Sequence, residues 1–411
     1  MMITLHLTGI AHGGAAIGRD KGKVIFVPYA LPGETVRAEI VEDHPHYARA
    51  RLVEILEPSP ERVGPPCPYF GPGGCGGCHL QHAAYETQLR LKRQVVAEQL
   101  ARIGGISDPP VLPTLPDPTG WAYRNQARFH PAPNGGLGFC LEDRRDVVPV
   151  DECLILHPFL SELYDGLDLD LPDLTALTLR AGTATGDRML ILETAEDEAP
   201  ELEIDLPVSC VLLTSDGVAV PLIGQTYITE RVAGYTYRVS APSFFQANTP
   251  QAERLVGLVL EYLALEGHEV VLDGYCGVGL FTLPLAERAG LVVAVEVDPA
   301  AVEDLLENVA DRENVEVAEG PVEAVLADRA EALDAAVVDP PRTGLSPEAL
   351  AGLIAARPVR LVYVSCDPAN LARDARRLSA AGYRLEAVRP VDMFPQTYHI
   401  ETVSLWRLER V

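Results

Sequence analysis

Two short stretches near the C-terminal end hold side chains suited to covalent chemistry. Ser365-Cys366-Asp367-Pro368-Ala369-Asn370 places one cysteine directly after the apolar run Arg360 to Val364, which has the composition of a buried strand. Met393-Phe394-Pro395-Gln396-Thr397-Tyr398-His399-Ile400-Glu401 follows and ends on a carboxylate. A thiol at a strand end with a carboxylate in reach is the pairing of nucleophilic catalysis with a general base. Cys366 would be the nucleophile and Glu401 the base. A cysteine after a strand also suits a structural role, but the Ser-Cys-Asp-Pro turn presents this one at the sheet edge. His399 reads as a support of the same loop.

Upstream, Val270-Val271-Leu272-Asp273-Gly274-Tyr275-Cys276-Gly277-Val278-Gly279 is a strand opening into a glycine turn. Glycines there allow the backbone around Tyr275, Gly277 and Gly279 to approach a ligand at the carboxyl edge of a sheet. The next strand, Val292 to Val297, carries Glu296, an acid placed to accept hydrogen bonds from a ribose diol. Thr282 follows Phe281 where a third glycine of Gly-x-Gly-x-x-Gly would stand, so the turn suits S-adenosylmethionine as well as a dinucleotide. Asp339-Pro340-Pro341-Arg342, after the strand Ala335–Val338, aims a second carboxylate, Asp339, at the polar edge of a substrate.

A third group is Cys67-x7-Cys75-x2-Cys78 on a glycine-rich loop. A fourth thiolate would come from afar, Cys153 first and Cys140 second. Four thiolates suit an iron–sulfur cluster or zinc, and spacing does not choose between them. Cys210 and Cys276 lie in apolar surroundings and read as core residues.

The elements that must position these groups fall into three parts. Residues 1–57 alternate with period two between glycine turns and predict a small all-β barrel. Residues 58–239 begin with a Pro-rich hinge and the cysteine loop. They continue into a helix over His82 to Ile103, with Leu89, Val96 and Leu100 on one face and Arg90, Lys92 and Arg93 on another. Strands and turns follow, giving an α+β central domain. Residues 240–411 alternate strand and helix, which predicts an α/β Rossmann-like domain with a parallel sheet covered on both faces.

The formal net charge is −26 over 411 residues, which at first sight disfavours a nucleic-acid partner. Its distribution alters that reading. Residues 1–145 hold 15 Lys and Arg against 14 Asp and Glu, and the remainder holds 18 against 45. Arg19, Lys21, Lys23, Arg49 and Arg51 on the barrel, Arg90, Lys92 and Arg93 on the helix, and Arg124, Arg128, Arg144 and Arg145 beyond it would form a phosphate track. Tyr123, Phe129 and Phe139 are candidate stacking rings. No apolar run has the length of a membrane span and the N-terminus lacks signal-peptide features, so the chain reads as cytoplasmic. A monomer is the default expectation.

Together these motifs resemble the RNA uracil-carbon-5 methyltransferase family, the 5-methyluridine enzymes of transfer RNA and 23S ribosomal RNA. The likeness covers nearly the whole chain. Leu31-Pro32-Gly33-Glu34 and Ala48-Arg49-Ala50-Arg51-Leu52 resemble the TRAM module, an oligonucleotide-binding-fold barrel. The resemblance implies that Cys366 is the nucleophile and Glu401 the base. It implies cofactor contacts from Gln246 of Phe-Phe-Gln, Tyr275, Glu296 and Asp339, with S-adenosylmethionine as the cofactor. It also implies a [4Fe-4S] centre on Cys67, Cys75, Cys78 and Cys153, in preference to zinc. A barrel plus a cluster points to 23S ribosomal RNA, with transfer RNA as the alternative.

The sequence departs from the family at three places. The first two cysteines usually stand closer together, and here Pro72-Gly73-Gly74 enlarges the loop. Leu280 stands where relatives often carry asparagine, and Glu319-Gly320-Pro321 has no assigned polar contact. Three rivals remain in view. A radical S-adenosylmethionine enzyme would not need the Cys366 and Glu401 pair, and the doubly wound pattern argues against it. A cytosine-carbon-5 methyltransferase would carry a cysteine where Pro341 and Arg342 stand. A non-catalytic, metal-stabilised RNA-binding protein would not need an intact cofactor turn.

Overall fold

The computed structural model describes residues 1–409 apart from 134, 142–145, 169–170, 201–202 and 329–331. Arg144 and Arg145 of the expected phosphate track lie outside the described residues.

The period-two alternation at the N-terminus builds β1 (Met2–Ile10), β2 (Ala16–Asp20), β3 (Lys23–Val27), β4 (Thr35–Asp43) and β5 (Tyr47–Glu57), closed as a barrel in the order β1-β2-β3-β5-β4. Its inward set includes Leu5, Leu7, Ile25, Val27 and Val36. The β1–β2 tip needs left-handed backbone, with φ of 101° at Gly13 and 81° at Gly14. A Cβ on Gly14 would stand 3.0 Å from Cβ of Tyr398, so the tip rests on the C-terminal motif. The Pro-rich segment behind the barrel is pinned rather than loose. Arg62 donates from Nε and Nη2 to buried Glu34 at 2.6 and 2.9 Å and from Nη2 to the Tyr29 carbonyl at 2.9 Å.

The expected helix forms as α1 (Tyr85–Arg102). It corrects one expectation, because Lys92 does not join the solvent face. Gln88, Leu91, Lys92, Val95 and Val96 recur at helical spacing and are buried, and the Lys92 ammonium pairs with buried Asp392. The phosphate track loses that residue. Several other members are engaged by acids, including Lys23 with Asp43, Arg51 with Glu39, Arg90 with Glu61 and Arg128 with Glu193.

β6 (Gln126–Pro131), β7 (Leu137–Cys140), β8 (Val147–Pro149), α2 (Pro158–Asp165), β9 (Leu174–Ala181), β10 (Arg188–Thr194), β11 (Ser209–Leu213) and β12 (Ala219–Ile223) follow. The strands form a seven-stranded sheet in the order β12-β11-β10-β9-β6-β7-β8. Phe129 is fully buried here, its ring 4.6 Å from Phe139 and 4.7 Å from Tyr164. Tyr123 is also buried, donating its hydroxyl to the Pro395 carbonyl at 3.1 Å. Neither ring is available to stack on a base, which corrects the second expectation.

A hairpin of β13 (Tyr227–Val232) and β14 (Tyr235–Ser240) leads to α3 (Thr249–Leu263). Then come β15 (Val270–Gly274), α4 (Thr282–Ala286), β16 (Leu291–Glu296), α5 (Pro299–Asn308), β17 (Val315–Glu319), α6 (Val322–Asp328), β18 (Ala335–Val338), α7 (Pro347–Ala356), β19 (Arg360–Ser365), α8 (Pro368–Ala380), β20 (Tyr383–Val391) and β21 (Glu401–Leu408). The sheet order is β17-β16-β15-β18-β19-β21-β20. β17 to β19 run parallel, and β21 and β20 close the edge antiparallel. Continuous Val, Leu and Ala runs in β15, β16, β18 and β19 are buried on both faces, as covered parallel strands require. The chain leaves β15 towards β16 and β17, then returns beside β15 as β18. That reversal opens a crevice at the carboxyl ends of β15 and β18.

Candidate active site

Cys366 sits between the end of β19 and the first turn of α8. Asp367 caps that helix, its Oδ1 accepting from the N–H groups of Ala369 and Asn370 at 2.9 and 2.8 Å. The cap fixes the direction in which the preceding residue leaves the sheet. In the antiparallel ladder of β19 and β21, Ser365 lies opposite Thr402. The ladder ends there, and Glu401, next to Thr402, lies near enough to Cys366 to act on its thiol. The structure therefore brings together two residues that stand well apart in sequence.

The electrostatics of this pair are unusual. Burial pushes the Cys366 thiol up to about 12, with Glu401, Asp339 and Asp367 adding to the rise and Arg342 opposing it. Glu401 is buried and its Oε1 has no hydrogen-bond partner. Burial and then Asp339 drive its carboxyl well above the usual range, against the Thr402 backbone hydrogen bond and Arg342. Asp339, held by its N–H to the Gly274 carbonyl at 3.2 Å, is raised by burial to about 7. Glu401 and Asp339 form a buried acidic patch beside the thiol. His399 stays neutral, because burial and neighbouring Arg342 lower it to about 3.

Asp273 belongs to the same patch. Burial pushes it up to about 7, with Asp339 and Glu296 adding to the rise and the hydrogen bond from Thr282 Oγ1 opposing it. Its folded value lies above its ordinary 3.8, so the folded protein keeps a proton that the unfolded chain has lost. The resulting stability is complete below about pH 4 and disappears as the pH rises towards 7. Asp273→Asn is expected to flatten that part of the stability profile, measured by denaturant unfolding at intervals across the range. An unchanged slope would show that Asp273 is not proton-bound.

An open cavity of about 370 Å³ lies at the carboxyl ends of β15, β16, β17 and β18, with neither Cys366 nor Glu401 in its lining. Tyr275 and Glu296 line it as expected. Tyr275 adopts left-handed backbone with φ 64°, followed by Gly277 at 54° and Gly279 at 98°. A Cβ on Gly279 would fall 2.7 Å from the Leu305 side chain, so glycine is required there. Glu296 accepts from the N–H groups of Gly277, Val297 and Asp298 at 2.9, 2.7 and 2.9 Å. Three donors leave a carboxylate room for one more partner.

Gln246, Gly277, Gly279 and Asp339 do not line the cavity; Gln246 is buried, with its main-chain carbonyl accepting from Asn125 Nδ2 at 3.0 Å. The cavity walls that the sequence reading missed are Gly320, Pro321, Val322 and Glu323 after β17, and Thr343 to Pro347 after β18. Their signal was positional, since loops after parallel strands form the crevice.

Cys67, Cys75, Cys78 and Cys153 line one cavity of about 180 Å³, along with Tyr69, Phe70 and Gln81. Cys140 does not line it, although its carbonyl accepts from the Gly76 N–H at 3.1 Å. The enlarged Pro72-Gly73-Gly74 turn is taken up locally. Cys75 N–H reaches back to the Tyr69 carbonyl at 2.8 Å, where a Cβ on Gly74 would collide. Among the described residues, no group of three Cys, His, Asp or Glu side chains is gathered as a single metal ion needs. No helix among them is long and apolar enough to cross a membrane.

Comparison with known proteins identifies the family of the fold. Residues 220–409 match the family model for tRNA (Uracil-5-)-methyltransferase, and residues 2–53 match the TRAM domain. A chain from Streptomyces avermitilis described as an uncharacterized RNA methyltransferase is 39% identical, covering 96% of each protein. One from Halalkalibacterium halodurans with the same description is 35% identical over 99% of this chain and 97% of its own length. The crystal structure of Pyrococcus abyssi tRNA (uracil-54, C5)-methyltransferase in complex with S-adenosyl-L-homocysteine superposes with a TM-score of 0.78. It is 29% identical and covers 98% of this chain and all of its own. From the N-terminal barrel to the thiol and carboxylate at the sheet edge, the chain belongs to the RNA uracil-5-methyltransferase family and carries a TRAM domain.

Proposed function

We propose that the protein methylates carbon 5 of a uridine in folded RNA, with S-adenosylmethionine as methyl donor. The observation that carries this is the gathering of Cys366, Glu401 and Asp339 at the carboxyl edge of the sheet whose following loops wall the open cavity. Carbon 5 of uracil is a weak nucleophile. The Cys366 thiol gives up its proton to water, and addition of the sulfur to carbon 6 moves an electron pair onto carbon 5 and its conjugated carbonyl. Carbon 5 then attacks the sulfonium methyl, and S-adenosylhomocysteine leaves neutral. Glu401 takes the carbon 5 proton, the double bond re-forms and the sulfur departs.

In this reading Glu296 accepts from the ribose diol, Tyr275 walls the cofactor on a turn that Gly277 and Gly279 allow, and Gln246 and Asp339 hold its reactive end beyond the open cavity, as the family resemblance implies. Residues 1–57 and 58–239 present the RNA to the catalytic part, residues 240–411. The target base must be turned out of its stack to reach the sulfur. Phe244, two residues before Gln246 and 72% exposed, is a ring free to stack on a base, as the buried Tyr123 and Phe129 are not.

The cysteine cavity fits a [4Fe-4S] centre by its donor set. Burial pushes the Cys78 thiol up to about 12 and Cys153 up to about 11, with the other cysteines adding to both. Such thiols ionise together only beside a strongly positive group, which a cluster supplies when bound. Zinc is the alternative on the same four thiolates. Anaerobically purified protein is expected to contain about four iron and four acid-labile sulfide per chain. Stoichiometric zinc without sulfide would reverse the choice.

The substrate is proposed as 23S ribosomal RNA, on the combination of barrel and cysteine centre. Transfer RNA is the second reading, favoured by the likeness to the Pyrococcus abyssi enzyme. Site-by-site mass spectrometry of RNA nucleosides, with and without an intact gene, tests both. Loss of 5-methyluridine at one ribosomal position supports the first, and loss only in transfer RNA the second. An unchanged 5-methyluridine complement would sink the function.

A further inference from the structure

We propose that Gln396 is a positioning residue for Glu401, seated by the cysteine loop. It rests on the reading of Glu401 as the base. Gln396 is buried and holds φ at 67°, a conformation that costs a non-glycine residue energy unless its surroundings impose it. Its surroundings do so at every polar atom. The main-chain N–H donates to Gln88 Oε1 at 3.0 Å, and Gln88 Nε2 returns a bond to Gln396 Oε1 at 2.9 Å. Gln396 Nε2 donates to the Gly120 carbonyl at 3.1 Å. The Gln396 carbonyl accepts from the N–H groups of His79 and Leu80 at 2.8 and 2.9 Å. Those two residues directly follow Cys78.

Three separate segments thus converge on one residue: α1, the loop at Gly120 and the cysteine loop. The constraint runs on towards Glu401. The Phe394 carbonyl accepts from Lys92 Nζ at 3.0 Å and from Thr397 Oγ1 at 2.8 Å, and that hydroxyl accepts from the His399 N–H at 3.2 Å. The His79 ring lies 4.4 Å from Tyr398. Glu401 begins its strand two residues after His399, with one carboxyl oxygen unpartnered. Its aim therefore depends on the turn that Gln396 anchors, and a shift in the cysteine loop would remove both donors to the Gln396 carbonyl.

The test compares Gln396→Met and Gln88→Met with Glu401→Gln and the unaltered protein, using an RNA transcript carrying the mapped site. The methionine variants are expected to turn over about 10- to 100-fold more slowly. They should bind S-adenosylhomocysteine normally and accumulate methylated RNA bound covalently to protein on denaturing gels, as Glu401→Gln does. A residue needed only for folding would lower the unfolding temperature and activity together and trap no adduct, which would overturn the inference. If Glu401→Gln itself traps nothing, the assignment of Glu401 falls and this inference with it. Cys78→Ser is expected to raise amide hydrogen exchange across residues 393–400 while α3 stays protected. Unchanged exchange in that segment would overturn the role of the cysteine loop.

Discussion

Cys366→Ala is expected to lower kcat/KM by at least about 10⁴-fold, leaving no measurable 5-methyluridine in a substrate transcript. Without the sulfur there is no addition at carbon 6, and carbon 5 has no electron pair to offer the methyl group. Binding of S-adenosylhomocysteine, measured by calorimetry, should be unchanged, because the cofactor cavity is lined from β15, β16 and the loops after β17 and β18. Stability should change little. Cys366 is only half-buried at the sheet edge, so its removal leaves a small gap that water can fill. The raised thiol also implies that the free protein holds Cys366 protonated, in a form unreactive towards alkylating agents. Turnover by Cys366→Ala within tenfold of the unaltered protein would require a mechanism without covalent addition.

Where the sequence was legible and where it was not follows from the range of the interactions. β18 begins and ends where its apolar run predicts, β19 runs one residue past its expected end, and β16 lies one residue earlier than expected at both ends. Doubly buried parallel strands announce themselves by composition alone. The β20–β21 return was not read from the pattern, and it is this antiparallel pair that carries Glu401 to Cys366. Register between distant strands has no local signal.

The same holds for Gln396, whose partners at positions 79, 80, 88 and 120 are invisible in its neighbours. Lys92 failed differently. Its spacing from Gln88, Val95 and Val96 placed it on the buried stripe, but its charge suggested solvent. The partner that makes burial tolerable, Asp392, lies 300 residues away. Tyr123 and Phe129 were misread because an aromatic beside arginines suits a stacking surface and a core equally well.

Glu401→Gln is expected to stop the reaction after methyl transfer, which separates it from the loss of the nucleophile. The amide cannot take the carbon 5 proton, so Cys366 remains bonded to carbon 6 and a covalent RNA–protein adduct accumulates. Turnover should fall by about 10³-fold, within the range for removal of a general base. Shape is preserved by the substitution, and an amide tolerates the same burial. The pH profile supplies the second readout. Burial and Asp339 raise the Glu401 carboxyl well above its ordinary range, so the base is mostly protonated on the acid side. The unaltered enzyme should therefore gain rate as pH rises, and that limb should vanish in the variant. A limb that persists would move the proton to Asp339, which burial raises to about 7 and which neighbours both residues. An adduct that never forms, with turnover lost, would place Glu401 before carbon–sulfur bond formation and assign it to the thiol proton instead.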